Sequence, residues 1–238
     1  MLFSPPRKAG CKAFFSLLAF LWVSNTSAET LRFALFDVPP YVLPQANGEF
    51  SGPYVEWAQI IAQKLHVEAR IVVVPFARVA SELDQDRADI TFSFATPALE
   101  NIAVQLAVID SALEVVRMSS ARKISRIDQL AGLTVGRFRG GCKDLRARVG
   151  TSVKFYELNN ASSAVRMLAA KRIDGLCATP EVLDYSIRQE KFEHSRFGQT
   201  IEVSRRDVWV FVNQEMPPER RHALQSAIEE MRSEKGKR

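Results

Sequence analysis

The stretch "DITFSFATPALEN", residues 89–101, combines a strand with the start of a helix. Isoleucine and phenylalanine alternate with small or hydroxyl side chains over residues 90–94, which is typical of a β-strand. Thr96 and Pro97 then form a natural helix start, because threonine caps helix N-termini and proline is tolerated in the first turn. A strand that ends in hydroxyl groups beside free helix N–H groups is suited to hold a small polar ligand.

Strand and helix patterns alternate on the N-terminal side of this stretch. The apolar spacing in "PYVEWAQIIAQKLHV" predicts a helix, and the β-branched run "ARIVVVP" predicts a buried strand. The resulting order, β-α-β-α-β, predicts a parallel sheet with covering helices. Its segments are 31–36 (strand), 53–67 (helix), 69–75 (strand), 78–88 (helix) and 89–94 (strand).

The same order returns over residues 133–178, without a matching sequence repeat. Strand-like runs at "LEVVRM" (113–118) and "DVWVFVN" (207–213) lie on either side of this second unit. An amphipathic helix over 217–234 closes the chain. We therefore predict an α/β protein of two lobes joined by two extended crossings, with a ligand in the cleft between the lobes.

The first residues are typical of a processing signal. Three basic residues precede the apolar run "AFFSLLAFLWV" (13–23), and "SNTSA" supplies small residues before a predicted cleavage after Ala28. The apolar run has 11 residues, too few for a membrane-spanning helix, which takes about 20. The sequence therefore predicts a signal peptide over 1–28 and an exported, periplasmic protein; a short membrane anchor is the alternative.

Composition argues against several functional classes. The leader carries three basic residues and no acidic ones, so 29 basic and 27 acidic residues remain after its removal, a net charge of +2. No basic stripe with interleaved aromatics appears, so no nucleic-acid partner is expected. The three histidines lie far apart in sequence, and no metal-ligand spacing, nucleophile elbow or Gly-rich phosphate loop is present. We expect no metal, no cofactor and no catalytic residues.

Two cysteines, Cys142 and Cys177, remain after cleavage. In an oxidising exported compartment such a pair is a disulfide candidate. The residues alone leave open whether the two cysteines are instead separate, small buried side chains.

The chain resembles the family 3 periplasmic solute-binding proteins, the amino-acid binders of ABC importers. The resemblance covers nearly all of residues 30–234, and the order and spacing of its motifs are specific. It implies two α/β lobes that close on a ligand about a hinge. We expect the first lobe to span 29–112 plus 213–238, and the second 113–212. The motifs are "PPY…G…SGPYVEWAQIIAQKL", "RADITFSFATPALEN", "IDQLAGLTVGRFRGG" and "LAAKRIDGLCATPEV".

The resemblance also shows what this chain lacks. Family members usually carry an arginine shortly after the threonine of "FATPALEN", where it binds the α-carboxylate of the ligand as a charge-assisted pair. Here that place holds residues 98–101, "ALEN". Family members usually supply an aspartate for the α-amino group just past the strand matching "IDGLCA", where Thr179 stands here. Two lost charged hydrogen bonds, at roughly 1.5–3 kcal/mol each, predict weak binding of a zwitterionic amino acid.

Two arginines are candidates for an anion site. Arg78 begins a helix near the ends of the first lobe's strands, although a solvated arginine explains it as well. Arg139 lies on the loop that faces the cleft in the family, where Gly140 and Gly141 resemble a cradle of backbone N–H groups. We predict that ligand binds between "FSFAT" and "RFRGG".

The remaining ligand candidates are polar side chains at family contact positions. Tyr41 lies in the first-strand loop, where the family places an aromatic residue against the ligand, and packing against prolines is its alternative role. Ser93 and Thr96 offer hydroxyl groups. Thr179 can make one hydrogen bond but cannot neutralise an ammonium group. Glu181 could take that role, although a position at the start of a helix explains this acidic residue equally well. If the strands around Cys142 and Cys177 are neighbours, as the family implies, a disulfide would brace the second lobe.

The leading functional hypothesis is a monomeric periplasmic binding protein that delivers a small polar solute to the membrane permease of an ABC importer. A sensory module that presents its ligand state to a membrane signalling protein is the alternative. An enzyme resembling cyclohexadienyl dehydratase on the same fold, and a protein with a degenerate pocket, are the less favoured ones.

Overall fold

The structure, a computed structural model, describes residue 1, residues 29–138 and residues 141–235. Residues 2–28 of the predicted leader, and the predicted site residues Arg139 and Gly140, lie outside the described residues.

Ten strands and seven helices alternate along the described chain. The strands are β1 (Thr30–Phe36), β2 (Leu43–Pro44), β3 (Phe50–Ser51), β4 (Glu68–Val74), β5 (Ile90–Phe94), β6 (Ala103–Ser119), β7 (Thr134–Phe138), β8 (Lys154–Leu158), β9 (Gly175–Ala178) and β10 (Phe197–Asn213). The helices are α1 (Pro53–Lys64), α2 (Val79–Asp84), α3 (Pro97–Glu100), α4 (Lys143–Val149), α5 (Ala161–Ala169), α6 (Pro180–Gln189) and α7 (Pro218–Lys235).

Eight strands form one curled sheet in the order β4-β1-β5-β10-β6-β9-β7-β8. The strands β4, β1 and β5 are parallel, as are β9, β7 and β8. Two long antiparallel strands, β6 and β10, of 17 residues each, join the two halves. The predicted two-lobed α/β fold with two extended crossings is confirmed.

The first lobe buries apolar side chains on both faces of its sheet. On one face, β1 and β5 pack against α1 and α7, and Trp57 lies in this cluster with Phe33 and Phe92, as expected for a core tryptophan. On the other face, the strands pack against α2 and α3 through Val79 and Leu99. The aromatic contacts extend to the cleft, because Tyr54 stacks on Tyr41 with ring centroids 5.0 Å apart.

The second lobe has the same arrangement. Helices α5 and α6 cover one face of β9 and β7, and α4 with the turn at Ile127–Leu130 covers the other. Asn160 caps α5, because its side chain accepts a hydrogen bond from the Ser163 amide at 3.0 Å.

Two expectations from the sequence were wrong in detail. The run at 69–75 is not a buried strand, because β4 is the sheet edge and alternates between half-buried and exposed residues, with α1 packed against one face. The crossings are longer than the apolar runs at 113–118 and 207–213 indicated, since β6 and β10 continue through charged positions. Helix α6 carries Glu181 in its first turn, which agrees with the alternative interpretation of that residue as part of a helix start.

Across the described residues no helix is long and apolar enough to cross a membrane. Within the same part of the chain, no group of three or more histidine, cysteine, aspartate or glutamate side chains is arranged to hold a metal ion.

Candidate functional site

The two lobes meet directly at Tyr41. This tyrosine follows β1 in the first lobe, and its hydroxyl lies 3.2 Å from the hydroxyl of Thr179 at the start of α6. The same hydroxyl donates to Oε2 of Glu181 at 3.1 Å. Burial, chiefly, raises the pKa of Tyr41, so the phenol stays protonated and remains a donor at neutral pH. The structure thus brings together three residues that lie up to 140 positions apart in the sequence.

The end of β5 supplies buried hydroxyl groups on the first-lobe side. Thr96 caps α3, with its side chain accepting from the Leu99 amide at 3.3 Å, as the sequence predicted. Ser93 is 1% exposed, and its hydroxyl has no hydrogen-bond partner within the described part of the chain. An unsatisfied buried hydroxyl is costly, and a ligand or water can satisfy it.

Two cations converge on the carbonyl oxygen of Ala95, between these hydroxyl residues. Arg206, on the crossing strand β10, donates to this oxygen at 2.8 Å. Lys143, at the first position of α4 in the second lobe, donates to it at 3.5 Å. The Arg206 guanidinium also lies over the Phe94 ring, 4.6 Å from its centroid, a favourable cation–π arrangement. Positive charge is therefore concentrated at the end of β5.

A buried carboxylate lies beside these cations. Glu114, on β6, is 3% exposed, and its Oε1 lies 3.5 Å from a guanidinium nitrogen of Arg206. The same oxygen accepts from the Cys142 amide at 3.2 Å, while Oε2 has no partner within the described residues. Desolvation raises the pKa of Glu114, and the charge of Arg206 opposes this shift.

The loop that enters α4 is fixed by covalent and polar contacts. Cys142 and Cys177 form a disulfide with an S–S distance of 2.06 Å and a Cα–Cα distance of 6.4 Å, so the predicted bridge is confirmed. The bond joins the start of α4 to β9. Arg137 donates to the Gly141 carbonyl at 3.0 Å. The Gly141 amide donates to the Phe138 carbonyl at 2.9 Å, so in this conformation it is not available to an anion.

A concavity of about 240 Å³ opens beside these groups. Lys143 reaches it from the second lobe, and the rest of its wall comes from the first lobe. The first-lobe residues of the wall are Phe76, Ala77, Val79, Ala80, Thr96, Pro97, Ala98 and Leu99.

Arg78 does not join this group. It is exposed and absent from the wall of the concavity, although both of its neighbours contribute to it. The hydrogen bond from Arg87 chiefly lowers the pKa of Glu82, and the charge of Arg78 adds to this effect.

Three charged residues at the site were not among the predicted ones: Lys143, Arg206 and Glu114. Glu114 interrupts the strand-like run 113–118 with a charge, and a charge in an otherwise apolar strand is a signal that the side chain has a special partner. Arg206 gives no such signal, because it lies between Arg205 and Asp207 in a charged stretch. Lys143 directly follows the "RFRGGC" loop.

The chain was compared with models of protein families. The model for bacterial extracellular solute-binding proteins, family 3, matches residues 33–106. This segment runs from β1 into β6 and includes Tyr41, Ser93 and Thr96. A comparison with curated proteins finds no match.

Solved structures with the same fold cover most of the chain. A mutant arginine-binding protein of T. maritima aligns with 86% of this chain and 90% of its own, at a TM-score of 0.71 and 18% identity. The L-arginine-bound substrate-binding protein AbpA of Streptococcus pneumoniae aligns with 86% of this chain and 90% of its own, at a TM-score of 0.72 and 15% identity. The ancestral amino acid-binding protein AncCDT-1, a precursor of cyclohexadienyl dehydratase, aligns with 86% of this chain and 89% of its own, at a TM-score of 0.72 and 17% identity.

The fold is that of the two-lobed periplasmic binding proteins. The resemblance to the family 3 extracellular solute-binding proteins, first carried by the sequence motifs, is confirmed by the family match over residues 33–106.

Proposed function

We propose that this protein is exported, is cleaved near Ala28 and captures a small polar solute in the cleft between its lobes. The observation that carries the proposal is the direct contact of the lobes at the predicted ligand face, through Tyr41 with Thr179 and Lys143 with Ala95. Contacts of this kind across a cleft can form and break, so the lobes can close on a ligand and release it.

The proposed ligand is neutral or anionic rather than a zwitterionic α-amino acid. The similar solved structures include proteins bound to L-arginine, but this chain has Leu99 and Thr179 in the region of the two charged family positions. Lys143 and Arg206 supply cationic donors beside Ala95. The nearby acid Glu114 is already engaged by Arg206 and the Cys142 amide, which leaves less negative charge for an ammonium group.

We assign the protein a binding role without catalysis, as a monomer that works with the membrane permease of an ABC importer. A sensor protein in the membrane is the alternative partner. The genes beside the coding sequence distinguish the two: permease and ATPase genes support import, and a kinase or cyclase gene supports sensing.

We also propose the lobe division 29–112 plus 213–238 and 113–212, with one refinement in β10. The side chains of Val208, Val210 and Val212 pack in the core of the first lobe, whereas Ile201 and Val203 pack in the second. The crossing in β10 is therefore proposed to lie between residues 203 and 208.

A thermal-shift screen of the mature protein against amino acids, organic acids and small polar metabolites tests the function. A ligand that binds the native state must raise the melting temperature in a saturable way. We expect saturable shifts with neutral or anionic solutes. Stabilisation by a common L-amino acid at micromolar concentration would overturn the proposed ligand class, and the absence of any saturable shift would contradict solute capture itself.

A further inference from the structure

The concavity beside α3 combines an apolar wall with one charged residue. Most of its wall is formed by aliphatic, aromatic and proline side chains, including Phe76, Val79 and Pro97. Among the described residues that line it, Lys143 is the one with a formal charge. At about 240 Å³ the concavity is somewhat smaller than pockets for drug-sized ligands, which take roughly 300–1,000 Å³. It therefore suits a compact solute.

Lys143 has donor capacity to spare. An ammonium group has three N–H donors, and within the described part of the chain this one makes a single long hydrogen bond of 3.5 Å, to Ala95. The side chain is half-buried, and burial followed by the positive charge of Arg206 lowers its pKa, against the weaker opposing effects of Glu100 and Asp144. A bound anion would supply the acceptor that this ammonium lacks.

We propose that this pocket binds a small monocarboxylate, with its apolar body against Phe76, Val79 and Pro97 and its carboxylate paired with the Lys143 ammonium. The proposal rests on the proposed function and names the solute class. A carboxylate suits the site because one compact ammonium can pair with one small anionic group. An inorganic anion would leave the apolar wall in contact with water, and a neutral solute would leave the positive charge of the ammonium without a counter-charge.

The pairing also joins the lobes. The apolar wall belongs to the first lobe, whereas Lys143 begins α4 in the second. A monocarboxylate in the pocket therefore touches both lobes at once and favours the closed arrangement. Binding by this route does not need an arginine at Leu99 or an aspartate at Thr179.

Isothermal titration calorimetry on the mature protein tests the proposal with a panel of probes. The panel contains benzoate, phenylacetate and 4-methylpentanoate, with benzamide as a neutral molecule of similar shape and inorganic phosphate as an anion without an apolar body. We expect at least one carboxylate of the panel to bind with one-to-one stoichiometry. Benzamide and phosphate should each bind at least about tenfold more weakly than that carboxylate. Benzamide lacks the charged hydrogen bond to Lys143, and phosphate lacks the apolar contact with the wall.

Four variants locate the site. Lys143→Met keeps the apolar stem and removes the charge, so it should weaken carboxylate binding at least about tenfold without changing benzamide binding. Lys143→Arg should retain most of the carboxylate affinity. Ala77→Phe, at an exposed position of the wall, should block the pocket and abolish binding. Lys154→Met, at an exposed lysine of β8, is the matched control and should bind like the wild type.

The outcomes separate this inference from the proposed function. Equal carboxylate binding by wild type and Lys143→Met, or no binding of any panel carboxylate by the wild type, overturns the inference. If the inference is overturned but another solute of the thermal-shift screen binds, the proposed solute capture is retained and only the carboxylate site at Lys143 is rejected. Circular dichroism of each variant establishes that a loss of binding does not come from a loss of fold.

Discussion

At the scale of single residues, Tyr41 joins the lobes through one phenolic hydroxyl, which pairs with Thr179 and donates to Glu181. Replacing Tyr41 by phenylalanine keeps the stacking on Tyr54 and removes both contacts. We expect the free energy of unfolding to fall by about 1 kcal/mol, the usual net value of such a hydrogen bond. We also expect the radius of gyration, measured by small-angle X-ray scattering, to increase as the lobes separate.

The matched control is Tyr156→Phe, because Tyr156 is an exposed tyrosine on the edge strand β8. It should leave both measurements unchanged. A Tyr41→Phe protein with the wild-type radius of gyration would show that the phenol does not hold the lobes together.

Glu114 gives the protein a pH-dependent stability. Burial raises the pKa of this carboxyl group in the folded state, with Arg206 and the Cys142 amide acting against the shift and Asp144 adding to it. The folded protein therefore holds the proton more tightly than the unfolded chain. The stability that Glu114 contributes is present at low pH and is lost as the pH rises through the raised pKa.

Glu114→Gln removes this titration. In urea unfolding at a series of pH values, the free energy of unfolding of the wild type should fall relative to that of the variant as the pH rises through this window. Glu202→Gln, at an exposed glutamate of β10, should instead give a curve parallel to the wild type. The assignment to Glu114 fails if its own variant also runs parallel to the wild type.

The sequence predicted the hydroxyl groups of the site better than its charges. Ser93 and Thr96 follow from local pattern, because a strand and a helix cap are recognised within a few residues. The Arg206 contacts connect residues 92 and 111 positions apart, to Glu114 and Ala95. Such contacts depend on the register of β10 against its neighbours, which no local pattern specifies.

At the scale of elements, the disulfide sets the position of α4. It closes a loop with a sequence separation of 35 residues, and a loop of this size is expected to contribute about 3–4 kcal/mol by restricting the unfolded chain. The double variant Cys142→Ser/Cys177→Ser should lose about this free energy of unfolding. Lys143 adjoins Cys142, so the variant should also bind anionic solutes more weakly.

Urea unfolding with and without dithiothreitol provides the control. The reductant should lower the stability of the wild type to that of the double variant and leave the double variant unchanged. If dithiothreitol does not change the urea unfolding of the wild type, the disulfide does not stabilise the folded protein by restricting the unfolded chain.

The elements that have a clear local pattern in the sequence were predicted, and the features that depend on the rest of the fold were not. Both β-α-β-α-β units and the cap at Thr96 were predicted, because periodicity and capping residues are local. The partial exposure of β4 was not predicted, because the exposed face of an edge strand depends on what the rest of the fold leaves uncovered. The full length of β6 and β10 was missed for a related reason: two long strands that pair with each other can carry charged residues on their exposed side.

At the scale of the whole molecule, the paired strands β6 and β10 make one structural unit of the two lobes. Their pairing runs from Phe197 opposite Ser119, in the second lobe, to Asn213 opposite Ala103, in the first. Loss of either lobe removes the partners of these strands. We therefore expect a single transition in differential scanning calorimetry, with equal calorimetric and van 't Hoff enthalpies.

Hydrogen exchange on peptides from β1 and from β7 provides an independent measurement, because these strands belong to different lobes. Their slowest amides should exchange with the same free energy of opening. Two calorimetric peaks, or clearly different opening free energies for the two strands, would mean that the lobes unfold independently.

The return of β10 and α7 to the first lobe has a consequence for the order in which the newly made chain can fold. A polypeptide is synthesised from its N-terminus, yet β5 lacks its neighbour β10, and the first core lacks Leu224, Ile228 and Met231 of α7, until nearly the whole chain has been translated. The clusters of the second lobe need no residue beyond Val203. The lobe that is translated first is thus the last whose core can be completed.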